Sequence, residues 1–415
     1  MNIAVPVHPT VSRVSVGTIV TDDMVPARYV EYIFYFMVMY STVGSPLGIS
    51  LPVPAAGILT VLAVICFARL QSRALAVYSP VLPLLMCGAT YLLVQLLVHD
   101  ESIMGEYLRP FVSWIPMIVI CQSLAFRQGF LHRFALATFI VGLMTLPFLT
   151  FDEIGGGRAR LDAASSIGNP NDLAAWFGFC AVYFLTTAIE SRRDAVRVTA
   201  FLFLIGCLGV VGVTVSRTTL VAVALAAVVA LRHVLRAGLL PVLLFVVLCA
   251  GALQTTAFEN AVSSYTARGL RDTGRLEVWP LAIERVVESP LLGVGASDSG
   301  TEVTGSQVIS PHNGFLFLAL ASGIVPFVLF ARYWWRAART VWRSRGRASG
   351  DMAYALPLFA YAFVSIQSGN LIFLAPWVVA TTAVVMWLPN VRRSIEPVTR
   401  GHPVARRIQR PAIRG

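Results

Sequence analysis

The sequence predicts an all-α polytopic membrane protein of about 12 transmembrane helices, with one large outside loop that itself contains a helix. Three observations carry this. Of the 415 residues, 57% are hydrophobic and only 13% charged, more apolar surface than a water-soluble fold of this length can hide, so lipid must solvate part of it. Apolar stretches of roughly 17–25 residues recur along nearly the whole chain, each long enough to cross a hydrocarbon core of about 30 Å. The basic residues fall unequally on the two sides of those stretches.

In order, the predicted spans lie near 29–44, 51–68, 77–98, 107–125, 132–151, 171–189, 197–215, 218–235, 239–258, 312–331, 352–368 and 370–389. The chain has no lysine; all 32 basic residues are arginine. With the N-terminus inside, 24 of them fall on the inner segments, including six between Arg332 and Arg347 and seven from Arg392 to Arg414, and eight fall outside. The positive-inside rule therefore sets both termini in the cytoplasm. Residues 1–28 form a cytoplasmic segment, 29–258 the first nine helices, 259–311 the large loop, 312–389 the last three helices and 390–415 a basic cytoplasmic tail. The net charge of +11 is thus a topology signal rather than a nucleic-acid surface. Residues 1–28 lack a compact apolar core and a small-residue cleavage pattern, so the first span is expected to act as an uncleaved signal. Cys66, Cys87, Cys121, Cys180, Cys207 and Cys249 all lie in apolar spans with no CxxC pair, which indicates packing residues rather than a disulfide framework or a zinc site.

Most connections are short. Two outside segments are not: the glycine-rich 152–170, "DEIGGGRARLDAASSIGNP", and 259–311, too long for a mere connector. Within the latter, "DTGRLEVWPLAIERVVESP" reads as an amphipathic helix with Leu276, Trp279, Ile283, Val286 and Val287 on one face, Asp272 or Thr273 as cap and Pro290 at its end. "PLLGVGASDSG" after it is glycine punctuation for a turn. The spans carry almost no ionisable residue at mid-depth; Gln95 and Gln367 are polar exceptions near helix ends. Ion-coupled transporters and channels place charged side chains at membrane depth. Here the polar chemistry gathers at the outer face, which favours an enzyme working at the membrane–water boundary.

Candidate chemistry rests on a few outside residues. Arg217, in "TVSRTTLV", stands where one apolar helix gives way to the next. It is either a lipid-headgroup anchor or, with Ser216, Thr218 and Thr219 at a helix N-terminus, a bidentate anion site. Arg275 opens the loop helix, where the dipole again favours anions, and Arg268, Arg271 and Arg285 lie nearby; for Arg268 and Arg285 a solvated surface charge is the better reading. Arg158 and Arg160 precede "SIGNPND", in which Asn169-Pro170-Asn171 reads as a turn into a helix with Asn171 as N-cap. Of the six histidines only His99 and His312 fall outside, and nothing aims His99 at a site. His312 follows Pro311 and precedes Asn313 at the head of an apolar run; neighbouring arginines favour its neutral imidazole, a proton acceptor, and Asn313 could orient the ring or a substrate hydroxyl. Asp22-Asp23 lies inside in this topology, and Asp152, Glu153, Asp162 and Asp298 are unclustered, so neither metal nor cofactor is expected. GxSxG, HExxH and Walker A motifs are absent.

"SIGNPNDLA" (166–174), "SRTTL" (216–220), "GRLEVW" (274–279), "PLLGVG" (290–295) and "PHNGFLFLALASG" (311–323) together resemble the O-antigen ligase and O-antigen polymerase superfamily, in that family's order across roughly 150–330. His312-Asn313 with Gly323 ten residues after the asparagine is similar to the ligase signature; Pro326 departs from it, where a small or polar residue is usual. The resemblance implies a metal-independent glycosyltransferase of the bacterial inner membrane, multi-pass, with the 259–311 segment as a large periplasmic loop and the active face periplasmic. The donor would be an oligosaccharide on undecaprenyl pyrophosphate. His312 would be general base on the acceptor hydroxyl, and Arg217 and Arg275 would hold the pyrophosphate, with Asn313, Arg160, Arg271 and Ser216 contacting substrate. As a polymerase the protein would extend O-antigen or exopolysaccharide on a lipid-linked repeat; as a ligase it would join the glycan to lipid A-core; protein O-glycosyltransferases are a third relative. Beyond the glycan acceptor, the partners implied are membrane lipid and, for envelope polysaccharide export, a chain-length regulator and a flippase; nucleic acid is not among them. A lipid-linked glycan flippase or solute transporter is the non-enzyme alternative.

Overall fold

The computed structural model describes residues 26–43, 52–70, 77–102, 107–125, 127, 129–152, 158–161, 170–214, 216–237, 275–303, 307–309, 311, 313–344 and 352–367. The predicted spans 239–258 and 370–389 lie outside these. The helices are α1 (Arg28–Val43), α2 (Pro52–Leu70), α3 (Leu82–Leu97), α4 (Arg109–Leu124), α5 (Phe130–Thr145), α6 (Pro170–Glu190), α7 (Asp194–Val213), α8 (Arg217–Ala237), α9 (Arg275–Glu288), α10 (Gly314–Ser322), α11 (Ile324–Ser344) and α12 (Met352–Ile366). Among the described residues, three helical segments are long and apolar enough to cross a membrane, Phe130–Phe148, Pro170–Glu190 and Asp194–Val213, and several shorter helices are also apolar.

Helix α6 is the core of the bundle, packed against α5, α7, α8 and α12. Small residues let it come close. A Cβ on Gly142 of α5 would stand about 3 Å from Phe177 and Trp176, and one on Gly178 of α6 would lie 2.6 Å from Tyr361 Oη and 2.7 Å from Thr219 Cγ2. The indole of Trp176 donates to the Thr138 carbonyl (2.8 Å) and the Tyr361 hydroxyl to that of Ala175 (2.6 Å), so buried polar groups on these helices find partners across the interfaces.

Hydrogen bonds mark the two ends of the bundle. At one, the buried Glu31 accepts from Tyr35 (2.6 Å) and pairs with Arg133 (2.6 Å) and Arg127 (3.3 Å). There too Gln122 donates to the Val77 carbonyl and Arg336 to that of Ser79. At the other, the last turn of α3 meets the segment after α9, as described below. The first end carries the arginines that the charge bias assigns to the cytoplasm.

Three sequence expectations need correction. Residues 312–331 are not one span: α10 ends at Gly323 and α11 starts at Ile324. In a straight helix residues 315 and 330 would be about 22 Å apart along the axis. Instead the Phe315 and Phe330 ring centroids are 5.0 Å apart, so α10 and α11 form a hairpin with its tip at Gly323. At roughly 13 Å long, α10 is too short to cross; α11, roughly 31 Å, has the length. Pro326 sits in the first turn of α11, where its missing N–H has no helical partner to lose. Second, Asn171 is not the N-cap of α6, which begins at Pro170, a proline at the first helical position. Third, α9 buries Val278 and Ala282, while Ile283 and Val287 of the expected inner face are exposed; Pro280 lies within the helix. Two short antiparallel ribbons were not foreseen: β1 (Leu149–Asp152) with β2 (Arg158–Leu161), and β3 (Thr301–Val303) with β4 (Gln307–Ile309).

Candidate active site

The short helix α10 is the centre of a polar assembly in an otherwise apolar fold. Asn313 caps it: Oδ1 accepts from the backbone N–H of Phe315 (3.0 Å) and Leu316 (3.2 Å), satisfying two of the helix's orphan donors. The Asn313 Nδ2 donates to Oε1 of Gln367, at the end of α12 (3.2 Å). Two residues earlier, the buried Pro311 carbonyl accepts from Trp279 Nε1 of α9 (2.8 Å). Position 312 is thus bracketed by bonds to two other helices, although His312 itself lies outside the described residues.

The far end of α10 is held as firmly. Fully buried Gln95 donates through Nε2 to the Ala321 carbonyl and to Ser322 Oγ (both 2.8 Å), and its Oε1 accepts from Ala296 N–H (2.9 Å). Main-chain bonds from Val294 to Leu320, Gly295 to Ala321 and Ile324 to Pro290 lock "PLLGVG" onto the hairpin tip. Both contacts require glycine. Gly293 and Gly323 have φ +72° and +79°, and a Cβ would lie 2.5 Å from the Leu320 oxygen or 2.1 Å from that of Leu291. His99 Nε2 donates to the Leu292 carbonyl (3.1 Å), and Glu101 accepts from Ser297 N–H (2.9 Å). His99 is a fastener of this loop.

Arg217 is the first residue of α8, as the anion-site reading requires, and is half-buried. Ser216 before it is buried, and its hydroxyl donates to Thr219 Oγ1 (3.1 Å). Thr219 meets Gly178 at the point where Tyr361 also arrives. Tyr361 is on α12 and Gln367 directly follows its last residue, so α12 and the turn that ends it support both the start of α8 and the cap of α10. Arg275 is the first residue of α9, one turn before Trp279. Arg160 lies on β2, opposite Thr150, and β2 packs against α6. Arg271 lies outside the described residues. Among the described residues no group of three His, Cys, Asp or Glu side chains could hold a metal ion.

Residues 200–331 match a family model described as O-antigen ligase. That segment is similar to the O-antigen ligase family. The superfamily resemblance read from the short motifs is borne out, and it supports glycan transfer of the ligase or polymerase type by a bacterial membrane protein. No curated protein matches the chain. The matched segment runs from α7 into α11 and takes in Arg217, Arg271, Arg275, His312 and Asn313. Two residues that the structure adds to the site, Gln95 and Gln367, fall beyond it. Their signal in the sequence was their isolation: a lone amide in an apolar span needs a partner. Trp279 gave a fainter one, an indole N–H on a face expected to be buried.

Proposed function

We propose that the protein transfers a glycan from an undecaprenyl-pyrophosphate-linked donor to a glycan acceptor at the periplasmic face of the inner membrane, acting as a polysaccharide polymerase on a lipid-linked repeat. The ligase alternative differs in its acceptor, lipid A-core. The observation that supports this reading most is the bracketing of position 312: Trp279 bonds the residue before it, Gln367 bonds the residue after it, and Arg275 stands one turn from Trp279 on the same helix. A general base must be held still within hydrogen-bond reach of its proton, and this is a rigid mount for one.

In the proposed reaction the His312 imidazole takes the proton from the acceptor hydroxyl as its oxygen attacks the anomeric carbon of the donor sugar. The bond from that carbon to the pyrophosphate oxygen breaks, and the lipid pyrophosphate leaves with the electron pair. Arg217 and Arg275 stabilise the negative charge that develops on it, with no divalent cation needed. Arg217 begins a helix, so its backbone N–H groups add to the anion site.

The test is single-turnover transfer by the full-length protein in proteoliposomes, with undecaprenyl-pyrophosphate oligosaccharide and excess chelator. General-base assistance is typically worth about 10²–10⁴-fold, so His312→Ala loses transfer on that scale while donor binding persists, and His99→Ala keeps the chemical step. Products longer than one repeat from donor alone identify the polymerase; product only with lipid A-core identifies the ligase. Wild-type turnover in His312→Ala, or rescue of a chelated enzyme by magnesium, overturns the mechanism.

A further inference from the structure

Helix α11 has one face that stays exposed among the described residues. Its exposed residues are Val325, Val328, Arg332, Trp335, Arg339 and Trp342, spaced by three or four, the period of a single helical ridge. The ridge changes character along its length. The two valines nearest the hairpin tip are followed by strict alternation of arginine and tryptophan. Trp335 is 70% exposed and Trp342 62% exposed, values that a water-facing surface rarely tolerates in large aromatics. Between Ile324 and Gly350 there is no acidic residue, and among the described residues Arg332 and Arg339 have no hydrogen-bond or ion-pair partner.

Its level in the bundle is set by a neighbour. Arg336, on the adjoining face, donates to the Ser79 carbonyl just before α3 (3.3 Å). The arginine–tryptophan half of the ridge therefore lies toward the Glu31 end, level with the place where the apolar length of α3 begins, and the valines lie toward the hairpin tip. Tryptophan concentrates at that depth, its ring in the acyl boundary and its N–H among headgroups. A guanidinium there can grip a phosphate with two parallel bonds.

We propose that this ridge is a binding stripe for the phosphate headgroups of anionic phospholipids. A second copy of the chain is a poor occupant, because a two-fold contact on this face sets arginine against arginine. A lipid phosphate supplies the missing charge, and its acyl chains lie along Val325 and Val328. The stripe is independent of the proposed transfer reaction.

The experiment uses the full-length protein in phosphatidylcholine proteoliposomes containing either dibrominated phosphatidylglycerol or dibrominated phosphatidylcholine, whose bromines quench indoles in contact with them. The glycerol lipid quenches more strongly at equal mole fraction and low salt. That excess is largely lost in Trp335→Phe/Trp342→Phe, which shows that it comes from the ridge. In Arg332→Gln/Arg339→Gln the preference falls by about fivefold for each arginine removed, the usual strength of a basic side chain near an anionic surface. Because both arginines are exposed, the double variant keeps its insertion, checked by carbonate-resistant membrane retention. Equal quenching by the two lipids in the unsubstituted protein, or an excess that survives in the arginine variant, overturns the proposal. So does quenching of Trp335 and Trp342 that disappears as protein density rises, which would mean that another copy covers the ridge.

Discussion

Replacing Gln95 by leucine removes three bonds from the hairpin tip at once: two donated by Nε2, to the Ala321 carbonyl and Ser322 Oγ, and one accepted by Oε1 from Ala296. The losses are unequal. The Ala321 carbonyl still accepts from Gly295 N–H, whereas Ser322 Oγ and Ala296 N–H, both on buried residues, are left without a partner. Each orphaned buried group costs about 1–3 kcal/mol, and leucine returns part of this through its larger apolar surface. A net loss of about 3 kcal/mol is a factor of roughly 100 in the local opening equilibrium. Hydrogen–deuterium exchange of the full-length protein in detergent reads this directly, because Val294, Gly295 and Ile324 donate the main-chain bonds that tie the tip. Peptides covering 290–297 and 319–325 exchange up to about hundredfold faster in Gln95→Leu, while peptides from α6 do not change. Unchanged exchange at 290–297 would mean that the main-chain ladder holds the tip unaided and that Gln95 is incidental.

Trp279→Phe keeps the ring and removes one N–H, orphaning the buried Pro311 carbonyl at about 1–3 kcal/mol; transfer slows by roughly tenfold or more with donor binding unchanged, measured by single turnover beside equilibrium binding. Arg217→Lys fails nearly as badly as Arg217→Ala in the same assay if a planar fork grips the pyrophosphate, and near-normal activity in the lysine variant makes Arg217 a point charge or a headgroup anchor. Gly178→Ala forces a methyl into Tyr361 Oη and Thr219 at 2.6 and 2.7 Å; it lowers the thermal stability of the detergent-solubilised protein, and an unshifted melt shows that α8 and α12 can move apart.

Much of the bundle was legible because hydropathy needs only local sequence. The span expected at 171–189 is the helix Pro170–Glu190, and that at 352–368 is Met352–Ile366. Direction is different. The apolar run continues through Gly323 without a break, so nothing in its hydropathy says that the chain reverses there; the reversal depends on a positive φ and on the Leu291 backbone arriving from another segment. The amides told the same story. Gln95 and Gln367 were visible as anomalies, but their partners stand 226 and 54 residues away, a separation that no period reports. The buried face of α9 was misread for a related reason: alternatives at helical spacing are equally apolar, and only tertiary docking, which here buries Val278 and Ala282, chooses between them. The candidate site was legible as residue types in order; its mount was not.

The two ends of α9 are tied with unequal strength. At its C-terminal end Arg285 reaches the Gly300 carbonyl, and Ser289 bonds Gly293 through both its hydroxyl and its carbonyl, joining the helix to the locked glycine segment. Near its N-terminal end the described outward bond is the one from Trp279 to Pro311. Mechanically this is a lever pivoted near Ser289 and latched by an indole. The arm of 14 residues is about 21 Å long, so a rotation of about 10° at the pivot carries residue 275 through roughly 4 Å, more than the reach of a hydrogen bond. Opening that latch and lifting Val278 and Ala282 out of their buried seat would thus swing position 275 aside while the hairpin and its cap stay where they are.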